Sequence, residues 1–430
     1  MSSLPYSLYT SSGTINNKVV ELHRKYGDVV RVAPNEVSFI SGEVVWDEVY
    51  GFRTGSRKSE TTQPPAMIMA DGADHARYRR LLSHAFSNSA LKDQEAIVQK
   101  YMALLVDGLR DSGDKADDNI VDLVKWYNFL TFDIIADLSL GSAFGCLEKG
   151  EEKYVTMINN MLRAGAQGRV KYLQPMLGTI STILGLQAIK ISALKTIPQF
   201  VKFTHDRVQQ RLDSEVDRPD FVSQILRYQN VESKGMSRTE LDMNCIQFLI
   251  AGSETSYLDE LTKEIRSRFS AQDEITFART RDIPLLNAVI EEGLRLYPPV
   301  PLGFPRLVPK GGAIVDGFHL PANTSIYMSQ FAANLSPRNF VDPESFRPER
   351  WMNDPRYAKD VKGVFQPFSF GPRVCIGKHL AYTEMRLALS KVLYAFDLEL
   401  QDPERDWLDQ KVWVTWSKPP LLVRLRPSAT

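Results

Sequence analysis

The chain has 430 residues, of which 43% are apolar and 24% charged, an ordinary composition for a globular protein. Its 52 basic and 52 acidic residues balance to a net charge of zero, so nothing indicates a nucleic-acid partner. Three cysteines are too few for a disulfide framework and are typical of a reducing compartment. We find no run of about 18 or more apolar residues, which predicts no transmembrane helix, and no secretory signal at the N-terminus.

Strand-like and helical patterns follow one another in the first third of the chain. Two short strands, Val29–Ala33 and Glu36–Ile40, flank the turn pair Pro34-Asn35 and predict a hairpin. Apolar residues then recur at helical spacing over three segments, 74–86, 94–109 and 119–140. This part of the chain is therefore predicted to be helix-rich with a small strand patch.

A long helix is predicted in the middle of the chain after the capping box Ser237-Arg238-Thr239-Glu240. It carries the sequence Ala251-Gly252-Ser253-Glu254-Thr255-Ser256. Glycine in a helix interior costs about 1 kcal/mol relative to alanine, so Gly252 needs a reason. Taken by itself, the segment is more typical of a glycine-kinked core helix with a glutamate on its surface than of a functional site.

The next predicted helix begins near Pro284, with Asp282 as the expected cap, and Pro298 ends it. On this helix Glu292 and Arg295 are three residues apart and share one face. A Glu-x-x-Arg pair is expected about once by chance in a chain of this length. A solvated pair of this kind would contribute only about 0.3 kcal/mol.

The region after this helix is rich in proline and glycine. Strands are predicted at Ala313–Val315 and Ser325–Met328, with turn chemistry over 316–321 between them. Phe346-Arg347-Pro348-Glu349-Arg350 follows in a loop. No linker divides the chain, so residues 1–430 are expected to form a single domain.

One cysteine lies in an unusual setting. The stretch Phe368-Ser369-Phe370-Gly371-Pro372-Arg373-Val374-Cys375-Ile376-Gly377 precedes a helical run from Lys378 to Phe396. Gly371 and Gly377 are expected to adopt backbone angles that other residues avoid. The helix start directs free N–H groups and a positive dipole end at the sulfur, which is expected to lower the thiol pKa. A thiolate held in this way suits the axial position of a haem iron, whereas Cys146 and Cys245 are expected to be buried and inert.

These ten residues resemble the haem-binding loop of the cytochrome P-450 family, whose pattern is Phe-x-x-Gly-x-Arg-x-Cys-x-Gly. The pattern is matched at Phe368, Gly371, Arg373, Cys375 and Gly377. The resemblance extends from about Glu21 to Leu425 and is most like the monooxygenases of filamentous-fungal secondary metabolism. It implies the cytochrome P-450 fold, mainly α with a small β-rich lobe.

The resemblance also implies a cofactor and the residues that hold it. The cofactor is haem b, with Cys375 as the axial ligand of the iron. Contacts to the haem propionates are implied for His75, Arg79, Arg306 and Arg373, since a guanidinium group pairs with a carboxylate in a fork. Phe368 and Gly377 belong to the same cofactor site.

Further roles follow from the same resemblance. Ala251 and Gly252 are expected to form the groove in which dioxygen binds, and Glu254 and Thr255 the relay that delivers protons to it. Glu292, Arg295 and Arg350 are expected to form a buried charge network that locks the loop leading to the cysteine. Loss of any one member would leave an unpaired buried charge and prevent haem incorporation.

The implied reaction is monooxygenation of an apolar small molecule, a fungal secondary metabolite or its precursor, with O₂ as co-substrate. Electrons would come from NADPH through a flavoprotein reductase, for which Arg77, Arg80 and Lys378 are candidate docking residues. Two alternatives stay open, namely a haem-thiolate isomerase or dehydratase that needs no reductase, and an inactive truncated member of the family. The expected location is intracellular, in the cytosol or at the surface of the endoplasmic reticulum.

The chain departs from the family pattern in two places. Family members from eukaryotes usually begin with a membrane anchor, which this sequence lacks; its apolar segment 175–194 is typical of either a peripheral membrane contact or a buried helix pair. In addition, only 37 residues separate Thr255 from Glu292. The helix after Ser256 is therefore expected to lack roughly fifteen to twenty residues, several turns of helix.

Overall fold

The computed structural model describes residues 3–50, 65–70, 72–150, 155–158, 160, 191–214, 216, 218–223, 225, 236–237, 241, 244, 259–406 and 409–428. Over these residues the protein is mainly α-helical, with small sheets whose strands come from distant parts of the chain. The predicted oxygen-groove segment 251–256, Cys245 and most of the apolar segment 175–194 lie outside the described residues.

The α-helices share amphipathic or fully buried patterns that face a common core. Their bounds are α1 Leu4–Ser12, α2 Ile15–Tyr26, α3 Glu43–Tyr50, α4 Gly72–Ser83, α5 Asn88–Lys115, α6 Leu123–Leu140, α7 Cys146–Lys149, α8 Ile191–Asp213, α9 Asp259–Arg268, α10 Phe277–Arg281, α11 Pro284–Leu296, α12 Gln330–Asn334 and α13 Lys378–Ala395.

The strands are short and belong to three sheets. Their bounds are β1 Val29–Ala33, β2 Glu36–Phe39, β3 Ile120–Asp122, β4 Arg306–Leu307, β5 Ala313–Val315, β6 Phe318–Leu320, β7 Ser325–Met328, β8 Phe396–Leu400 and β9 Leu422–Pro427. The sheets have the orders β1-β2-β7-β4, β3-β9-β8 and β5-β6.

The four-stranded sheet joins distant parts of the sequence. Strands β1 and β2 form the predicted antiparallel hairpin, which is confirmed, and β2 pairs in parallel with β7. Strand β4 adds to the other side of β7, with Arg306 opposite Ile326. A small apolar cluster that includes Trp46 and Tyr50 of α3 packs beneath this sheet. The sheet thereby fixes the position of Arg306 relative to α3.

Three sequence expectations about these elements are wrong in detail. The turn expected over 316–321 contains only Asp316-Gly317, because both residues have positive φ and close a two-residue hairpin between β5 and β6. The helix expected from residue 119 begins at Leu123, because Ile120–Asp122 pairs with β9. Asp282 is not the cap of α11; Ile283 takes that position and is fully buried.

The main core lies between the long helices. Helix α5 packs against α6 and α13, and α13 also contacts α9, α10 and α11. Fully buried side chains at this centre include Leu105, Ile134, Leu286 and Leu387. The core holds α11 and α13 side by side, and these two helices carry the charge network and the cysteine loop. Among the described helices, none has the length and apolar character needed to cross a bilayer.

Candidate active site

The cysteine loop is a tight structure closed by its own backbone. A single 3-10 turn, Gly371–Arg373, lies inside it, and the N–H of Cys375 donates to the carbonyl oxygen of Phe368 at 2.8 Å. Gly371 has a φ of +70°, a left-handed conformation that glycine adopts without strain. The loop therefore presents Cys375 directly before α13, as the sequence predicts.

Gly377 departs from the expectation that was made for it. Its φ is −82°, an ordinary value, so no special backbone angle is used there. A Cβ atom at this position would lie 3.9 Å from the Sγ of Cys375 and 3.8 Å from the ring of Phe86. The missing side chain thus keeps the space beside the sulfur open rather than permitting a turn.

The Cys375 side chain is exposed, yet protein atoms surround its sulfur densely enough that desolvation raises the thiol pKa above its ordinary value. The backbone N–H groups of Gly377 and Lys378 and the charge of Arg79 oppose this effect without overcoming it. The expectation of a lowered pKa is therefore wrong for the protein alone, although the helix-start N–H groups do point at the sulfur. A metal ion at the sulfur would reverse the balance, because a coordinating thiol is deprotonated.

Helix α4 brings two of the predicted cofactor residues to this loop. Arg79 is half-buried, and its Nη1 donates to the carbonyl oxygen of Val374 at 2.6 Å. His75 lies one turn earlier on the same helix and is 8% exposed. Arg79 is therefore tied to the residue that immediately precedes Cys375.

Arg306 is a buried cation without a carboxylate partner among the described residues. It is 6% exposed, its guanidinium carbon lies 4.8 Å from the ring centre of Tyr50, and its Nε has no hydrogen-bond partner. Its Nη1 donates to the carbonyl oxygen of Pro305 at 3.1 Å. Burial lowers the pKa of Arg306, and the nearby charge of Arg373 acts in the same direction.

Arg373 extends from the cysteine loop towards a short turn at residues 66–70. Its Nη2 donates to the carbonyl oxygen of Ala70 at 2.6 Å, and its Nη1 to that of Ile68 at 3.3 Å. The Arg306 guanidinium packs on Tyr50 of α3, and α3 also contacts the turn Gly371–Arg373. Arg79, Arg306 and Arg373 thus collect three positive charges beside the cysteine loop.

These residues fit a haem group. A buried guanidinium nitrogen without a partner, in a cluster of three arginines, suits the two carboxylates of the propionates. Cys375 is an exposed residue with no side chain at Gly377 beside its sulfur, which suits an axial ligand of iron. Arg79, Arg306, Arg373 and His75 would hold the propionate edge, and Cys375 would hold the metal.

A second group of charges lies behind the loop and is completely buried. Glu292 receives hydrogen bonds of 2.8 Å from both Nε and Nη2 of Arg295, and one of 3.0 Å from Nε of Arg350. All three side chains are 0% exposed. Burial by itself would raise the pKa of Glu292, but the hydrogen bonds and charges of these arginines bring it below its ordinary value. The three predicted members therefore meet in one ionised network.

The network also contains residues that the sequence did not indicate. The Trp351 indole N–H and the Arg347 backbone N–H donate to Glu292 at 2.9 and 2.8 Å. Arg350 also pairs with Asp360, and Arg295 donates to the carbonyl oxygen of Asn334 at 2.8 Å. Backbone donors and carbonyl acceptors leave no trace in residue spacing, so only the fold could identify them.

The residues predicted to form the oxygen groove and the proton relay lie outside the part of the chain that the structure describes. They are Ala251, Gly252, Glu254 and Thr255. Asn244, on the same predicted helix, is described, and its side chain is fully buried against the turn at 66–70. The relay and the groove stay predictions from the sequence.

A mainly α-helical fold that presents one cysteine before a helix, beside a cluster of arginines, is typical of haem-thiolate enzymes. Comparison with known proteins identifies the family. The family model described as Cytochrome P450 matches residues 5–425. The chain is 40% identical to Cytochrome P450 monooxygenase lcsI of Purpureocillium lilacinum, covering 99% of this chain and 87% of the relative. It is 38% identical to Averantin hydroxylase of Dothistroma septosporum, covering 99% and 85%.

The chain therefore belongs to the cytochrome P450 family, and it is a haem-thiolate monooxygenase similar to fungal enzymes of secondary metabolism. The alignment with the Purpureocillium relative extends over 456 positions, whereas this chain has 430 residues. At least 26 positions of that alignment (456 − 430) thus lie opposite gaps in this chain.

Proposed function

We propose that this enzyme inserts one oxygen atom of O₂ into a C–H or C=C bond of an apolar small molecule, a fungal secondary metabolite or its precursor. The second oxygen atom leaves as water, which consumes two electrons and two protons. Bound haem supplies the oxygen activation. The observation that carries the proposal is Cys375, an exposed residue directly before α13, in a loop that contains Arg373 and is bound by Arg79.

The residues of this chain would hold the haem and keep the cysteine loop in position. Cys375 would hold the iron, and the N–H groups of Gly377 and Lys378 favour negative charge on its sulfur. Arg79, Arg306, Arg373 and His75 would pair with the propionates. Glu292, Arg295 and Arg350 are structural residues, since their network fixes the chain that leads into the cysteine loop.

We assign the delivery of protons to bound oxygen to Glu254 and Thr255. The groove for dioxygen is assigned to Ala251 and Gly252. These assignments come from the match of Ala251-Gly252-Ser253-Glu254-Thr255 to the family pattern. The acid–alcohol pair favours a monooxygenase over an isomerase or dehydratase, because those reactions need no proton delivery to bound oxygen.

The electrons for the reaction would come from NADPH and reach the haem through a flavoprotein reductase. The cations Arg77, Arg80 and Lys378 lie close in sequence to Arg79 or Cys375, and Lys378 begins α13. An acidic donor surface would be steered to such a face. With such a partner we expect the enzyme in the cytosol or at the surface of the endoplasmic reticulum.

The test is the carbon monoxide difference spectrum of the reduced protein beside that of Cys375→Ala. A strongly red-shifted Soret band in the wild type, absent in Cys375→Ala, is expected for a thiolate ligand. A band typical of a neutral ligand, or no haem binding, would contradict the proposal and would favour an inactive shortened member of the family. Turnover of a substrate without NADPH would instead revive the isomerase or dehydratase.

A further inference from the structure

Three buried side chains stack on one another at the cationic edge of the candidate haem site. The rings of Trp46 and Tyr50, one turn apart on α3, have centres 4.9 Å apart and planes inclined by 25°. The guanidinium carbon of Arg306 lies 4.8 Å from the centre of the Tyr50 ring. In that order the three residues are 0%, 1% and 6% exposed. We call Trp46, Tyr50 and Arg306 the aromatic stack, which is closed to water.

The rings of the aromatic stack are held by the backbone around them. Nε1 of Trp46 donates to the carbonyl oxygen of Val364 at 2.8 Å, across 318 residues of sequence. The backbone of Met328 in β7 hydrogen-bonds the hydroxyl of Tyr50. Strand β7 pairs directly with β4, which carries Arg306. The Tyr50 ring and the Arg306 side chain are therefore referred to the same sheet, and their contact has a fixed geometry.

The Tyr50 ring gives Arg306 a partner that its other surroundings lack. Among the described residues no carboxylate pairs with Arg306; its Nη1 donates to the carbonyl oxygen of Pro305 at 3.1 Å, and its Nε has no hydrogen-bond partner. The positive charge of Arg373 acts against the charge of Arg306. The negative face of an aromatic ring attracts a guanidinium group, most strongly where water is excluded. The ring therefore favours the charged guanidinium group and fixes its place.

We propose that Tyr50 is a positioning residue, whose ring holds the Arg306 guanidinium group by a cation–π contact in the orientation that pairs with a haem propionate. A group that is fixed before its ligand arrives loses less freedom on binding, so the haem is retained longer. This inference rests on the proposed function, because it needs haem in the site. Tyr50 acts through Arg306 and is not a catalytic residue.

The experiment replaces Tyr50 by phenylalanine, difluorophenylalanine and pentafluorophenylalanine, introduced at this one position by amber suppression. Fluorine withdraws negative charge from the face of the ring with little change in its shape, so the series weakens a cation–π contact stepwise. Transfer of haem from the holoenzyme to apomyoglobin is the measurement. We expect Tyr50→Phe to transfer haem within about twofold of the wild-type rate and pentafluorophenylalanine to transfer it about five- to thirtyfold faster, with difluorophenylalanine between them.

Two controls separate an effect through Arg306 from a general loosening of the protein. In the Arg306→Leu background the cation is absent, so the fluorine series at position 50 should give equal transfer rates. Phe39 is fully buried in the same apolar cluster as Tyr50 but is not part of the aromatic stack. Phe39→Leu should therefore lower the thermal midpoint and leave the rate of haem transfer near that of the wild type.

A transfer rate that does not change with fluorine would overturn the inference, and this series alone decides it if Arg306→Leu fails to fold. An equal dependence on fluorine in the Arg306→Leu background, or a Phe39→Leu variant as fast as the pentafluorophenylalanine variant, would overturn it too. A wild type that binds no haem would instead contradict the proposed function. The thermal midpoints of the haem-free series then decide the contact: they should fall with fluorine only where Arg306 is present, and unchanged midpoints would contradict it.

Discussion

Nη1 of Arg79 lies 2.6 Å from the carbonyl oxygen of Val374, which joins helix α4 to the residue before Cys375. This contact spans 295 residues of sequence. It places a positive charge near the sulfur and at the same time fixes the backbone that carries it. Arg79 is therefore a support of the cysteine loop as well as a proposed propionate contact.

Two replacements of Arg79 test these two roles. We expect Arg79→Leu to lose most of the bound haem, since it removes the charge and the hydrogen bond to Val374 together. Arg79→Lys keeps a charge without the guanidinium fork and should retain an intermediate amount. Pyridine haemochrome content per protein is the measurement. The exposed neighbour Arg80 provides the control, and an Arg80→Leu variant as depleted as Arg79→Leu would contradict the prediction.

Arg306 is expected to affect the haem-free and haem-bound states in opposite directions. In the haem-free protein its buried charge lacks a carboxylate among the described residues, so Arg306→Leu should raise the thermal midpoint. In the haem-bound protein the same change removes a propionate partner and should speed haem transfer to apomyoglobin. Both quantities are measured on the same preparations. If Arg306→Leu raises the thermal midpoint of the haem-free protein but does not speed haem transfer, Arg306 has no carboxylate partner in the bound state.

The buried network around Glu292 is expected to be intolerant of a single change. Glu292→Gln leaves Arg295 and Arg350 buried with only one carboxylate, that of Asp360, between them. The expected loss is about 3–5 kcal/mol of unfolding free energy, together with failure to incorporate haem. Urea unfolding followed by fluorescence measures it. Glu264→Gln breaks an exposed helical pair with Arg268 and should cost far less. Similar losses in the two variants would argue against a structural network.

A pH effect is expected at His23 in α2. Its Nδ1 lies 2.8 Å from the carbonyl oxygen of Gly27 and its Nε2 2.8 Å from the hydroxyl of Ser38, an arrangement that a neutral ring with a proton on Nδ1 satisfies. Burial lowers the pKa of His23, although the Gly27 carbonyl and the charge of Asp28 oppose it.

Because the folded-state pKa lies below the unfolded value of about 6.5, the stabilisation from neutral His23 is complete above that pH. It is lost as the pH falls from about 6.5 towards the folded-state pKa. The wild type should therefore lose more thermal stability than His23→Gln when the pH is lowered from about 7 to about 5. Parallel pH profiles of the two proteins would contradict this assignment.

The sequence by itself determined the parts of the site that are local. The spacing of Gly371, Arg373 and Cys375 identified the cysteine loop, and the resemblance built on it selected Glu292, Arg295 and Arg350, which the structure brings into contact. The hairpin β1–β2 was predicted because alternation and turn residues act over a few positions. The loop and the hairpin depend on neighbours in the chain, which a sequence displays directly, whereas the long-range pairing of Glu292 with Arg350 came from the family resemblance.

Only the tertiary structure decided the features that depend on distant neighbours. Three features arise from packing between elements far apart in sequence: the hydrogen bond from Met67 to Asn244, the raised thiol pKa of Cys375, and the Nε of Arg306, which finds no hydrogen-bond partner among the described residues. The shift of the α11 cap from Asp282 to Ile283 has the same origin, because burial of Ile283 in the core outweighs a local capping preference. Desolvation and hydrogen bonding are properties of the folded surroundings, and residue spacing does not encode them.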